Sequence, residues 1–205
     1  MTSNIKIYND DLPADHNLQG DLAVDTEAMG LDYIRDRLCL VQICDEKGKI
    51  CIVKFSTNFA APILKQLLSD KQRTIICHYA RFDLAIIRQY LGIKISNIFC
   101  TKIASKLVRT YTDSHGLKEL CRELLGQQIS KQQQSSDWGA SKLSKEQIAY
   151  AAADVMYLHN IKCKLETMLE REGRSNIALE CFNCLNTRID LDLQGFEAVD
   201  IFAHK

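Results

Sequence analysis

The sequence predicts an α/β fold: a mixed sheet, made of an antiparallel meander continued by parallel strands, flanked by helices and followed by a helical C-terminal part. Three observations lead there. Short β-rich apolar runs alternate with helical patterns through the first half of the chain. Two of those runs are joined by the turn-like segment Glu46-Lys-Gly48. Beyond residue 115 only helical periodicity remains.

In chain order, 20–27 (GDLAVDTE), 38–45 (LCLVQICD) and 48–55 (GKICIVKF) read as a three-stranded meander. Residues 59–68 have helical periodicity, 73–78 (RTIICH) reads as a buried strand, and 82–91 is helical up to a stop at Gly92. A short strand is expected at 96–100. Then 115–125 forms a helix ended by Gly126, and a Gln/Ser-rich loop spans 130–141. Ser144-Lys-Glu-Gln147 is a capping box, predicting one long helix from there to about Glu172. Gly173 breaks it, and a last helix covers about 175–188. The tail from Asp190 carries Leu191, Leu193, Phe196, Ile201 and Phe202, which must be covered by its own domain or by a neighbouring subunit. One domain is expected over 1–205, with a core at about 20–172 and a C-terminal helix and tail at 173–205.

Composition narrows the class. Lys+Arg 26 balances Asp+Glu 26, which argues against a binder relying on a broad, sequence-blind positive surface. The first twenty residues lack the basic and apolar regions of a signal peptide, and no apolar run approaches the roughly 18 residues of a membrane span. The nine cysteines are odd in number and lie mostly inside apolar runs, so reduced, buried thiols and a cytoplasmic setting are expected. Cys181 and Cys184 form a C-x-x-C with no second pair at zinc spacing, so no zinc site is expected.

The chemistry concentrates in five residues. Asp25 and Glu27 close the first strand of the meander and, by strand alternation, project from one face while Thr26 points from the other. Asp83 opens a helix just after a buried strand, with His78 five residues before it. Tyr150 and Asp154 share a helical face kept narrow by three alanines. Singly, each has an ordinary reading: a solvated strand end, a helix-start acid favoured by the dipole, a core histidine, a core tyrosine. Gathered in one cleft, four carboxylates repel unless hard divalent cations, Mg²⁺ or Mn²⁺, lie between them. Two such ions stabilise the attacking and leaving oxygens of a phosphoryl displacement, and a neighbouring tyrosine can position the water.

Asp25-x-Glu27, His78-x-x-x-Phe82-Asp83 and Tyr150-x-x-x-Asp154 resemble the three exonuclease motifs of the DEDD superfamily in its tyrosine (DEDDy) branch. Their flanks, Arg35-Asp-Arg-Leu-Cys-Leu-Val-Gln42, Ser136-Asp-Trp138 and Tyr150-Ala-Ala-Ala-Asp-Val-Met-Tyr-Leu158, are similar to the ribonuclease D group, and the likeness covers about 20–160. The resemblance implies an RNase H-like fold, two divalent metals and 3′→5′ hydrolysis of nucleic acid to nucleoside 5′-monophosphates. The short chain, the DTE-x-x-GL opening ending at Leu31 and the Leu191–His204 ending most resemble the nano-RNase C branch. That branch acts on dinucleotides and forms ring-shaped, octamer-like homo-oligomers. Tyr79 replaces the Asn that follows the His in many ribonuclease D relatives, which favours the same branch.

Residue by residue, the resemblance makes Asp25, Glu27, Asp83 and Asp154 metal ligands and Tyr150 the residue that orients the water. Thr26, Leu31, His78 and Trp138 become substrate contacts, Leu31 as a wedge at the bases. For Leu31 an ordinary loop leucine, and for Trp138 a core or interface anchor, stand as the other readings. Basic residues at Lys102–Arg109 and Arg122 are candidates to cap a 5′ phosphate. Short RNA is the expected partner; trimming of longer RNA or single-stranded DNA, and a silent nucleic-acid-binding module, are the competing functions.

Overall fold

A computed structural model describes residues 5–130 and 132–204. The first four residues of the N-terminal segment, Lys131 of the Gln/Ser-rich loop and Lys205 at the tail's end lie outside the described residues. Six strands pair in the order β1-β4-β3-β2-β5-β6. The strands are β1 (Ile5–Asn9), β2 (Leu22–Ala28), β3 (Leu38–Asp45), β4 (Ile50–Lys54), β5 (Ile75–Cys77) and β6 (Ile98–Cys100). The pairs β2/β3 and β3/β4 are antiparallel, whereas β1/β4, β2/β5 and β5/β6 are parallel. The meander and its parallel continuation are therefore as the sequence predicts.

The turn between β3 and β4 has a clear local cause. Asp45 accepts from the backbone N–H groups of Lys47 (3.0 Å) and Lys49 (2.9 Å), and Gly48 takes the positive φ the turn needs. Central β3 is buried along its whole length and β2 over Leu22–Val24, so these strands form the middle of the core.

The helices are α1 (Pro62–Leu68), α2 (Ala80–Leu91), α3 (Thr101–Val108), α4 (Leu117–Leu125), α5 (Lys145–Met156), α6 (Leu158–Arg171) and α7 (Ser175–Leu193). The capping box of α5 forms in full, with Ser144 Oγ accepting from Gln147 N and Gln147 Oε1 accepting from Ser144 N.

Four features depart from expectation. β1 pairs parallel to β4, although its segment is largely exposed and carries little apolar signal. α3 lies in a stretch read only as basic. The long helix expected from Ser144 to about Glu172 is interrupted at Tyr157 (φ −100°, ψ −7°), so α5 packs on β2, β3 and β4 while α6 packs on α3, α4 and β5. No proline or glycine marks that break; two docking directions impose it. Finally, α2 begins at Ala80, so Asp83 sits within its first turn rather than opening it.

α7 runs on to Leu193, past the expected end at about 188, so Leu191, Asp192 and Leu193 are helical and the tail proper begins after it. Asp192, fully buried, is gripped by Arg81 (2.6 and 2.8 Å) and Arg188 (2.8 Å to Nε), which also bind backbone carbonyls of Phe196, Glu197 and Val199. Burial penalises the Asp192 charge, but the two guanidiniums outweigh it and hold the carboxyl below its usual range. Leu191 and Leu193 are half-buried, whereas Phe196, Val199, Ile201 and Phe202 stay exposed. Within its own chain the tail therefore leaves part of its apolar surface uncovered.

Candidate active site

Three elements converge on one cleft of about 690 Å³. β2 delivers Asp25 and Glu27 at its C-terminal end, next to a bulge between Glu27 and Ala28. α5 delivers Tyr150 and Asp154 one helical turn apart. Carboxylate oxygens of Asp25, Glu27 and Asp154 lie within 4.8 Å of one another. Asp83 arrives from the other side of the strand, where Thr26 Oγ donates to its carboxylate at 2.7 Å. Thr26 is thus the tie between the strand and α2, and its hydroxyl is engaged by Asp83.

The backbone places Asp83 through a tight strand-to-helix turn. Tyr79, between β5 and α2, has φ 72° and ψ 44°, a left-handed conformation that costs free energy in a bulky residue. Its ring is half-exposed at the cleft and lies under the Lys102 ammonium, 4.2 Å from the centroid. His78 is oriented from behind. Thr101 donates to the Cys77 carbonyl (3.2 Å), so its oxygen accepts from His78 Nδ1 (2.9 Å), which fixes the proton of the neutral ring on that nitrogen.

The electrostatics follow from burial and like charge. Burial pushes the Asp25 carboxyl well above its ordinary range, and Asp83, Asp154 and Glu27 push it further. Glu27 rises to about 9, through burial first and then Asp154 and Asp83. Asp83 and Asp154 rise to about 7 by burial, partly offset by the Thr26 and Tyr150 hydroxyls respectively. Burial and the neighbouring acids raise Tyr150 as well, so its hydroxyl remains a donor. Such a set cannot ionise fully without compensation. Its donors are all oxygen, closely spaced and free of sulfur or imidazole, which fits hard divalent cations.

The rim is built on the loop after β2. A Cβ at Gly30 would fall 2.2 Å from Asp36 Oδ2, so a side chain there would displace the carboxylate that accepts from Asp32 N at 3.0 Å. That loop lifts Leu31 to the cleft mouth, where its side chain is 86 % exposed. Trp138 lines the opposite wall, 2 % exposed, with its ring 5.9 Å from that of Tyr150 and its indole N–H unpartnered.

Among the basic candidates the structure separates sharply. Arg109 is fully buried, held by Ser105, the Ser114 carbonyl and Glu123, and is unavailable to a substrate. Arg122 pairs with Glu123 at 3.1 Å. Lys102 lines the cleft, as does Lys118, which sequence reasoning passes over because an exposed lysine at the start of α4 carries no distinguishing local signal.

A floor of four acids, Asp83 buried and the other three half-buried, with a tyrosine beside it on a sheet of this order, defines a class of cation-assisted phosphodiester hydrolases. The 3′-5′ exonuclease family matches residues 7–170, and the chain belongs to that family. Ribonuclease D of Gluconacetobacter diazotrophicus is 35 % identical over 158 residues, which are 75 % of this chain and 39 % of that protein. The chain thus spans about two fifths of the length of that relative. Brucella melitensis NrnC superposes with a TM-score of 0.95 at 51 % identity, covering 98 % of this chain and 99 % of its own. The same protein has been solved bound to pGG (TM-score 0.95, 50 % identity, 98 % and 99 % covered) and with bound Mg²⁺ (0.93, 50 %, 98 % and 100 %).

Proposed function

We propose that the chain is a metal-dependent 3′→5′ exoribonuclease that hydrolyses short oligoribonucleotides, dinucleotides above all, to nucleoside 5′-monophosphates. The observation that carries this reading is the acid floor and Leu31 lining one cleft, in a chain 50 % identical to a relative solved bound to pGG. Asp25, Glu27, Asp83 and Asp154 are the residues that would hold two divalent cations. Those cations supply charge stabilisation to the attacking and leaving oxygens of an in-line displacement. Tyr150, kept protonated by burial and with its hydroxyl donating to Asp154, is placed to orient the water rather than to remove its proton. His78, its ring fixed through Nδ1 by Thr101, lines the cleft where it can contact the substrate's sugar. Lys102 and Lys118 supply the positive charge that a 5′ phosphate needs, and Trp138, 2 % exposed and packed beside Tyr150, backs the cleft wall as an anchor rather than as an open stacking face.

The decisive comparison is a time course with Mg²⁺ or Mn²⁺ on a 5′-labelled dinucleotide and a labelled twenty-mer, with Asp83→Ala as control. The dinucleotide should vanish orders of magnitude faster; equal laddering of the twenty-mer makes the protein a ribonuclease D-like trimmer instead. Cleavage of neither substrate leaves a binding module.

Leu31 gives a second test. An exposed leucine at the mouth gains burial only when bases pack on it. Leu31→Ala should therefore weaken dinucleotide binding by about 1–3 kcal/mol. Unchanged affinity in a fluorescence-polarisation titration returns Leu31 to an ordinary loop residue.

The uncovered side chains of Phe196, Val199, Ile201 and Phe202 support self-association into a homo-oligomer, read by sedimentation. The one-domain reading of 1–205 is supported by the packing of α7 on α2, α3 and β6. No helix among the described residues is long and apolar enough to cross a membrane, and the nine cysteines are free thiols, which supports a reducing, cytoplasmic setting.

A further inference from the structure

Central strand β3 carries one polar side chain that its surroundings do not explain. Gln42 is wholly buried, flanked by the fully buried Leu40, Val41 and Ile43, and neither its amide nitrogen nor its amide oxygen has a hydrogen-bond partner. A buried amide in that state is disfavoured, and an apolar side chain of similar size would remove the penalty.

Its register supplies the reason. Gln42 is the direct cross-strand partner of Asp25 in the antiparallel β2/β3 ladder. Directly opposed residues project to the same face with Cβ atoms about 4.5–5.5 Å apart, within the span of a glutamine side chain. Leu40, two residues on, opposes Glu27 in the same way. The amide therefore lies behind the acid floor, on the face that α5 covers with Asp154.

We propose that Gln42 is a positioning residue for the metal site, donating its amide N–H to the Asp25 carboxylate when that carboxylate holds a cation. Resting on the cation reading above, the inference adds a residue outside the ligand set. A carboxylate held from behind by a donor presents its remaining oxygen in a fixed direction, and loss of such outer partners typically costs 10–100-fold in metal affinity.

The test is Mn²⁺ titration by calorimetry of the full chain, alongside thermal melts in EDTA. Wild-type protein that binds no Mn²⁺ sinks the cation reading itself, separately from any role of Gln42. Gln42→Met preserves length and removes the donor. Its melting temperature in EDTA should equal or exceed that of wild type, while its Mn²⁺ dissociation constant rises about 10–100-fold. A Gln42→Met protein with wild-type Mn²⁺ affinity overturns the proposal, as does one that only melts lower. Wild-type protein provides a readout that needs no variant: the Gln42 side-chain amide resonances should shift on Mg²⁺ addition, and unmoved resonances overturn the proposal equally.

Discussion

Asp154→Asn should lose activity and gain stability at once, provided the stability is measured without metal. Asp154 is a member of the close acid trio and is held at about 7 mainly by burial, with Asp83 adding repulsion. An amide cannot ligate a hard cation as a carboxylate does. Losing several kcal/mol of transition-state stabilisation, at about 1.4 kcal/mol per tenfold, removes roughly three or more powers of ten from kcat. The same change takes one charge out of a crowded, half-buried cluster. In EDTA at pH 8 the variant should therefore melt above wild type, and in saturating Mg²⁺ the order should reverse. A variant that melts lower in EDTA would mean that the acids are not under electrostatic stress in the folded chain. Asp83→Ala should be equally inactive but forfeits the Thr26 tie, so the same stability gain is not expected of it.

The metal-free enzyme should lose stability as pH rises, the reverse of ordinary acid denaturation. The sign follows from the direction in which folding moves each carboxyl. Asp83 and Asp154 move from 3.8 to about 7 and Glu27 from 4.5 to about 9, so the folded state holds protons that the unfolded chain has released. The stability they contribute is complete below pH 4, and it drains away as pH climbs through 7 and then 9. A carboxyl whose pKa rises by one on folding contributes about 1.4 kcal/mol, so the loss amounts to several kcal/mol, a large part of a domain's total stability. Saturating Mg²⁺ or Mn²⁺ binds only the ionised cluster and should flatten the profile. Melting curves from pH 5 to 9, with EDTA and with Mg²⁺, check this. A flat or rising EDTA profile would contradict the stressed-cluster picture, while Asp192, held down by Arg81 and Arg188, works weakly in the opposite direction.

These two results have one source: the site is stressed when empty. The strained Tyr79 and the crowded acids line one cleft, and the unpaired Gln42 amide stands opposite Asp25 on the neighbouring strand. Such features persist where a bound group relieves them.

Much of this is legible in the sequence because its signals are local. Strand β3 begins and ends where its apolar run does, and Asp45 and Gly48 mark the following turn by their own chemistry. The capping box of α5 is a four-residue signal that forms as written. Pairing of Asp25 with Glu27 follows from a period of two and that of Tyr150 with Asp154 from a period near four, so each half of the site is encoded within one element.

Other features are decided only when distant segments meet. β1 owes its existence to β4, and its exposed sequence carries little of that signal. The break at Tyr157 arises because α5 and α6 dock on different partners, a conflict that no single helix could register. Arg109 stands in the sequence as one of several basic candidates to cap a 5′ phosphate, yet α3 and α4 bury it against Glu123. Gln42 reads as one more residue of an apolar strand, and only the β2/β3 register sets it opposite Asp25. From its sequence alone this protein has most of its elements, its acid set and its family's chemistry, since periodicity and motif spacing act over a few residues. The approach of Asp83 through Thr26, the buried fate of Arg109 and the amide behind the acid floor belong to the tertiary structure. Burial and register are properties of segments brought together by the whole chain, and no stretch of sequence carries them by itself.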